Sequence, residues 1–164
     1  MEDKEKEILD DVQAQISSFD NKASILLSVV GIIFALTLSF LDVFHAEYFI
    51  ARNKSFRILY TVTFIMYILT TISIIISLLF VILPRKHKSL INYPNYFADV
   101  NMMNKDELIE KIKMYNNDSN MIVDQIRINS KICSAKQKWL KLGMYLFVPF
   151  VLFIVVMIFM IIFA

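Results

Sequence analysis

Six polar residues near the ends of long uncharged runs could carry chemistry in this 164-residue chain: Asp20, Lys22, Arg85, Gln125, Asn129 and Lys136. Ammonium and guanidinium groups pair with phosphate by charge, and arginine adds a bidentate fork. A cavity lined by Lys22, Arg85 and Lys136, with two amides and the Ser130 hydroxyl nearby, would suit an anionic ligand. Tyr93, Tyr96 and Phe97 would then stack on a base. A plainer reading competes with this one: basic residues beside a membrane contact lipid headgroups and set topology. Asp20 suits a structural ion pair with Arg85 or Lys136 better than it suits acid–base catalysis.

Composition removes most other chemistry. The only glycines are Gly31 and Gly143, inside or at the edge of apolar runs. No glycine-rich phosphate loop of the Walker or Rossmann kind can therefore be built. A single cysteine, Cys133, permits neither an intrachain disulfide nor a cysteine-cluster zinc site. His45 and His87 are isolated from any metal-ligand spacing. A net charge of +2 with interspersed signs is no basic stripe for nucleic acid. The first 20 residues carry seven acids and no apolar core, which is not the composition of a signal peptide. No catalytic residues, metal or cofactor are expected.

The elements that position the polar set follow from how charge is distributed. Three runs contain no charged residue: Ala23–Leu41, Ile58–Leu83 and Leu142–Ala164, of 19, 26 and 23 residues. About 20 apolar helical residues cross a bilayer's hydrocarbon core. The fold expected is thus an all-α membrane protein with three transmembrane helices. Its segments are a cytoplasmic N-terminal helix over 1–22, spans over 23–41, 58–83 and 142–164, an external loop over 42–57 and a cytoplasmic helical region over 84–141.

Orientation comes from charge bias. Segment 84–141 holds 11 Lys/Arg, against Arg52, Lys54 and Arg57 around the short loop. Positive residues stay in the cytoplasm, which places the N-terminus inside and the C-terminus outside. Asp42, Phe44, Tyr48 and Phe49 suit the outer interface.

Hydrophobic spacing ties the soluble helices to the spans. Leu9, Val12, Ile16, Phe19, Ala23, Leu26 and Val30 alternate steps of three and four across the Asp20–Lys22 boundary, predicting one continuous helix. Met121, Gln125, Ile128, Ile132, Ala135, Trp139 and Leu142 do the same toward the third span. Asn104 with Glu107 is a capping pair for a helix over 105–116, and residues 116–120 break it. The two stalks and this helix would form a small bundle under the bilayer.

Small residues at Ser24, Ser28, Gly31, Ala35 and Ser39 suit close helix packing. Packing of span one on span two is favoured over self-association. In the second span Thr63, Tyr67, Thr70, Ser73 and Ser77 form a polar stripe, while the third span has none and faces lipid on most sides. No ionisable residue lies well inside a span, which argues against a proton relay or coupled carrier.

Four short motifs stand in order along the chain: Asp20-Asn21-Lys22-Ala23-Ser24-Ile25-Leu26-Leu27, Pro84-Arg85 after the second span, Asn95-Tyr96-Phe97 and Asp106-Glu107-Leu108. The block Gln125-Ile126, Asn129-Ser130, Ile132 and Lys136 before the third span completes the set. In order and spacing, these residues resemble the Pycsar effector transmembrane proteins. The resemblance implies a bacterial anti-phage effector that senses cyclic UMP or cyclic CMP from a pyrimidine cyclase and impairs the inner membrane, causing abortive infection. Asp20, Lys22, Arg85, Gln125, Asn129 and Lys136 would contact ligand or couple the stalks to the spans. Three narrow spans enclose no pore, so the bilayer partner would be met by a homo-oligomer. The alternatives are a ligand-free holin-like toxin or membrane scaffold, and an effector for another defence signal such as a CRISPR or CBASS oligonucleotide.

Overall fold

The computed structural model describes residues 2–39, 54–83, 104–117 and 119–162. Apart from Leu83 and Asn104 the described residues are helical, with no strand among them. Four helices follow in order: α1 (Glu2–Ser39), α2 (Lys54–Ile82), α3 (Lys105–Asn117) and α4 (Ser119–Ile162). Helices α1 and α4 each run unbroken from a charged stretch into an uncharged one, as their spacing predicted. Helix α3 starts directly after Asn104, whose carbonyl accepts from Leu108 N–H at 2.9 Å. Three helices are long and apolar enough to cross a membrane by length and composition, over Lys4–Ser39, Lys54–Ile82 and Ile122–Met160. Pro149 lies inside α4 without ending it.

The chain divides into two compact units. One comprises Met1–Ser18 with Pro84–Ala135. Among its described residues Leu9, Ile122 and Gln125 are buried, with Val12, Ile16, Ile128 and Ile132 half-buried around them. The Cys133 thiol donates to Gln15 Oε1 at 3.7 Å. Burial pushes that thiol's pKa up, because the thiolate loses hydration.

The other unit comprises Phe19–Leu83 with Lys136–Ala164 and packs α2 against the apolar parts of α1 and α4. Its core is Ala23 and Val30 from α1, Tyr67, Ile74, Leu78 and Val81 from α2, and Leu140, Phe150 and Met157 from α4. The α1 stripe from Leu9 to Val30 is buried or half-buried at every position.

Three register expectations change. The small residues Ser24, Ser28, Gly31, Ala35 and Ser39 are all exposed, so they do not pack span one on span two. A Cβ added at Gly31 would meet nothing within 4 Å. The buried stripe beside them, Ala23 and Val30, makes the contact instead, with Leu26, Leu27, Ile33 and Phe34 half-buried around it. In α2 the buried hydroxyls are Thr63, Tyr67, Thr71 and Ser77, whereas Ser73 is exposed and Thr70 half-buried. Thr70 and Ser73 donate to carbonyls of their own helix, at 3.0 Å to Met66 and 2.8 Å to Leu69, so neither requires a neighbouring helix. In α4, Leu142 is exposed and Gly143 takes the contact position. The expected stripe is thereby shifted by one residue as it enters the apolar run.

Candidate functional site: a buried ion pair at the charge boundary

The most distinctive polar arrangement in the second unit lies where α1 and α4 become uncharged. Lys136 is 4% exposed, an unusual place for an ammonium group, which is almost never fully buried unless paired. Its Nζ donates to Asp20 Oδ1 at 2.5 Å and to the Val81 carbonyl at 2.7 Å. One side chain therefore links α4 to both α1 and α2. The Asp20–Lys136 pairing anticipated from the sequence is present, and the Val81 carbonyl is a partner that residue types alone do not reveal. The pair suits a structural tie: both charges are neutralised locally, and Lys136 has little surface to offer an incoming anion.

Adjacent contacts join the same level. Ser77 Oγ donates to the Trp139 carbonyl at 2.7 Å, and the Phe80 and Trp139 rings stack with centroids 4.7 Å apart. Gly143 lets α4 approach α2 closely: a Cβ there would lie 2.9 Å from Leu78 Cδ2 and 3.6 Å from Ser77 Oγ. Small residues at such positions serve helix packing in lipid, where hydrophobicity cannot drive association.

The remaining candidates lie elsewhere. Lys22 is exposed and does not share the Lys136 environment; its ammonium lies 5.9 Å from the Phe19 ring centroid. Lys22 borders a groove between α1 and α4 together with Gln137 and Lys141. Gln125, buried, and Asn129, half-buried, belong to the first unit. Arg85, Tyr93, Asn95, Tyr96 and Phe97 lie outside the described residues, as do Asp42, Phe44, Tyr48 and Phe49. No group of three or more His, Cys, Asp or Glu among the described residues is arranged to hold a metal ion.

Ser77, Gly143 and Lys141 were not singled out as site residues. All three had a legible signal: Ser77 belongs to the polar stripe of the second span, Gly143 is one of only two glycines, and Lys141 is the last charge before the third run.

An all-α chain with three apolar helices, tied at the charge boundary by a buried lysine, belongs to the class of multi-span helical membrane proteins. The Pycsar effector protein domain, PycTM, matches residues 4–163, and the chain belongs to that family of anti-phage defence effectors. No curated protein and no solved structure matches.

Proposed function

We propose that this protein senses a cyclic pyrimidine mononucleotide, cyclic UMP or cyclic CMP, and responds by impairing the inner membrane, ending in abortive infection. It acts as a non-enzymatic homo-oligomer, with its N-terminus in the cytoplasm and its C-terminus outside. The family match over residues 4–163 carries this reading. The helices support it: α1 and α4 both continue without a break from charged sequence into uncharged sequence. A displacement at the charged end of either helix has a direct route into the bilayer. The exposed line of Ser24, Ser28, Gly31, Ala35 and Ser39 supports contact between copies, since small residues allow backbones to approach.

Among the site residues, Arg85, Gln125 and Asn129 are proposed to contact the nucleotide. Asp20, Lys22 and Lys136 couple the stalks to the spans, because Lys136 is already engaged by Asp20 and Val81. The test is dye release from liposomes containing the full chain. Release that requires cyclic UMP or cyclic CMP, and falls at least tenfold in Arg85→Ala and Asn129→Ala, is the expected result. Release without any nucleotide identifies a ligand-free holin-like toxin instead. Release only with a cyclic oligonucleotide assigns another defence signal, and no release under any condition removes membrane damage as the mechanism.

A further inference from the structure

The groove between α1 and α4 is a candidate ligand site that contains none of the residues proposed to contact the nucleotide. It encloses about 480 Å³, within the range of about 300–1,000 Å³ typical of small-molecule sites. Its walls are Phe19, Ile25 and Leu26 from α1 and Leu140 and Met144 from α4. Three polar side chains join them: Lys22, Gln137 and Lys141. No acidic side chain among the described residues lines it, and Asp20 nearby in sequence is held by Lys136.

The placement of the two lysines is informative. Lys22 is the last charge before the uncharged run 23–41, and Lys141 is the last before 142–164. Two residues that mark the membrane boundary on separate helices thus border one groove. Both are exposed, so their ammonium groups remain available to an anion. On the uncharged side, Ile25, Leu26 and Met144 continue the groove as an apolar trough.

A cationic mouth at headgroup level opening onto an apolar trough matches one chemical class. We propose that this groove binds an anionic phospholipid, its phosphate between Lys22 and Lys141 and the start of an acyl chain along Ile25, Leu26 and Met144. The Gln137 amide donates to a headgroup or ester oxygen. A nucleotide fits the lining less well, because a ribose and base need more hydrogen-bonding partners than one amide supplies. The trough also leaves no role for a free phosphate. A lipid held here wedges between α1 and α4 beside the Lys136 tie, which makes the bundle sensitive to lipid composition.

Native mass spectrometry of the full chain in detergent tests this, with phosphatidylglycerol and phosphatidylcholine of identical acyl chains as probes. The wild type retains phosphatidylglycerol in preference to phosphatidylcholine. Lys22→Gln with Lys141→Gln weakens phosphatidylglycerol binding about thirtyfold, at about fivefold per lysine near an anionic headgroup. Lys131→Gln with Lys138→Gln removes the same charge outside the groove and changes binding less than about twofold. Met144→Trp fills the trough without changing charge and also lowers retention. Equal losses in the two lysine pairs would reduce the effect to general surface charge and overturn the site. Full displacement by millimolar inorganic phosphate or cyclic UMP, with Met144→Trp binding as wild type, would show recognition of phosphate alone and equally overturn it.

Discussion

Two levels of the three-helix unit are held together by different chemistry. At the charge boundary Lys136 joins three helices at once, through Asp20 on α1 and the Val81 carbonyl on α2. Deeper in the uncharged runs, the tie is made of neutral groups. Tyr67 Oη donates to Thr37 Oγ1 at 3.1 Å, and its ring stacks on Phe150 with centroids 5.3 Å apart. Thr37 in turn donates to its own helix at Ile33, and Thr71 donates to the Tyr67 carbonyl. The difference follows from solvent. A charge is affordable only where the boundary lets Asp20 keep part of its hydration while Lys136 is buried, whereas a hydroxyl can be satisfied anywhere by a helix carbonyl.

Breaking the boundary tie should have the largest effect. Asp20→Ala leaves the Lys136 ammonium buried with only the Val81 carbonyl, and removing one partner of a buried pair costs about 3–5 kcal/mol. Asp20 is partly exposed, at 35%, so the lower end of that range is expected. Replacing both residues, Asp20→Leu with Lys136→Met, should recover most of the loss. The recovery distinguishes a charge left alone from a contact merely lost. Denaturation of the detergent-solubilised protein, read by circular dichroism, compares both variants with the wild type. If the double variant is as unstable as Asp20→Ala, the tie works through shape rather than charge.

The close approach of α2 and α4 comes next. Gly143→Leu drives its side chain into Leu78, which is itself 1% exposed and has little room to move. Overpacking of this kind costs about 1–3 kcal/mol. Fluorescence of the single tryptophan, Trp139, should report the change, because its ring stacks on Phe80 at the same level. Deeper down, Tyr67→Phe keeps the stacking on Phe150 and removes only the hydroxyl. Hydrogen bonds between helices in membranes average about 0.6 kcal/mol, so this variant should melt within a few degrees of wild type. A Tyr67→Phe loss as large as that of Asp20→Ala would erase the distinction between the two levels.

How much of this was readable beforehand depends on what each residue's neighbours decide. Continuous helices were legible because Leu9 to Val30 repeat a spacing that one helix imposes on itself. The Asp20–Lys136 pair was legible as one of two options, since a boundary acid needs a cation and Arg85 and Lys136 stand near the ends of the other two uncharged runs. Other features are properties of contact between helices. Thr71 rather than Ser73 is buried because of how α2 is rotated against its partners, and hydroxyls that satisfy themselves on their own carbonyls leave no trace of that rotation in the sequence. Gly143 replacing Leu142 at the interface has the same origin: the apolar run is uniform, so hydropathy cannot say which face turns inward. The exposed small stripe shows the converse limit. Small residues signal a close approach but do not identify the helix that makes it, and among the described residues of a single copy none does.

The two glycines turn that last point into the most delicate test. Gly143 is packed and Gly31 is open, so the same substitution should give opposite readings at the two sites. Gly31→Ala raises the stability of a single copy by about 0.5–1 kcal/mol, the helix-propensity gain of alanine over glycine, because the added Cβ meets nothing. Gly31→Ile should also leave the fold intact, because nothing lies within 4 Å of the added Cβ. Its branched side chain would nevertheless hold a second backbone away from Ser28, Gly31 and Ala35. If copies meet along that stripe, Gly31→Ile lowers the cross-linked oligomer fraction in membranes while the melting temperature does not fall. Loss of stability without loss of oligomer would place the stripe against something within the same chain. An unchanged oligomer without loss of stability would assign the stripe to lipid and move self-association to another face.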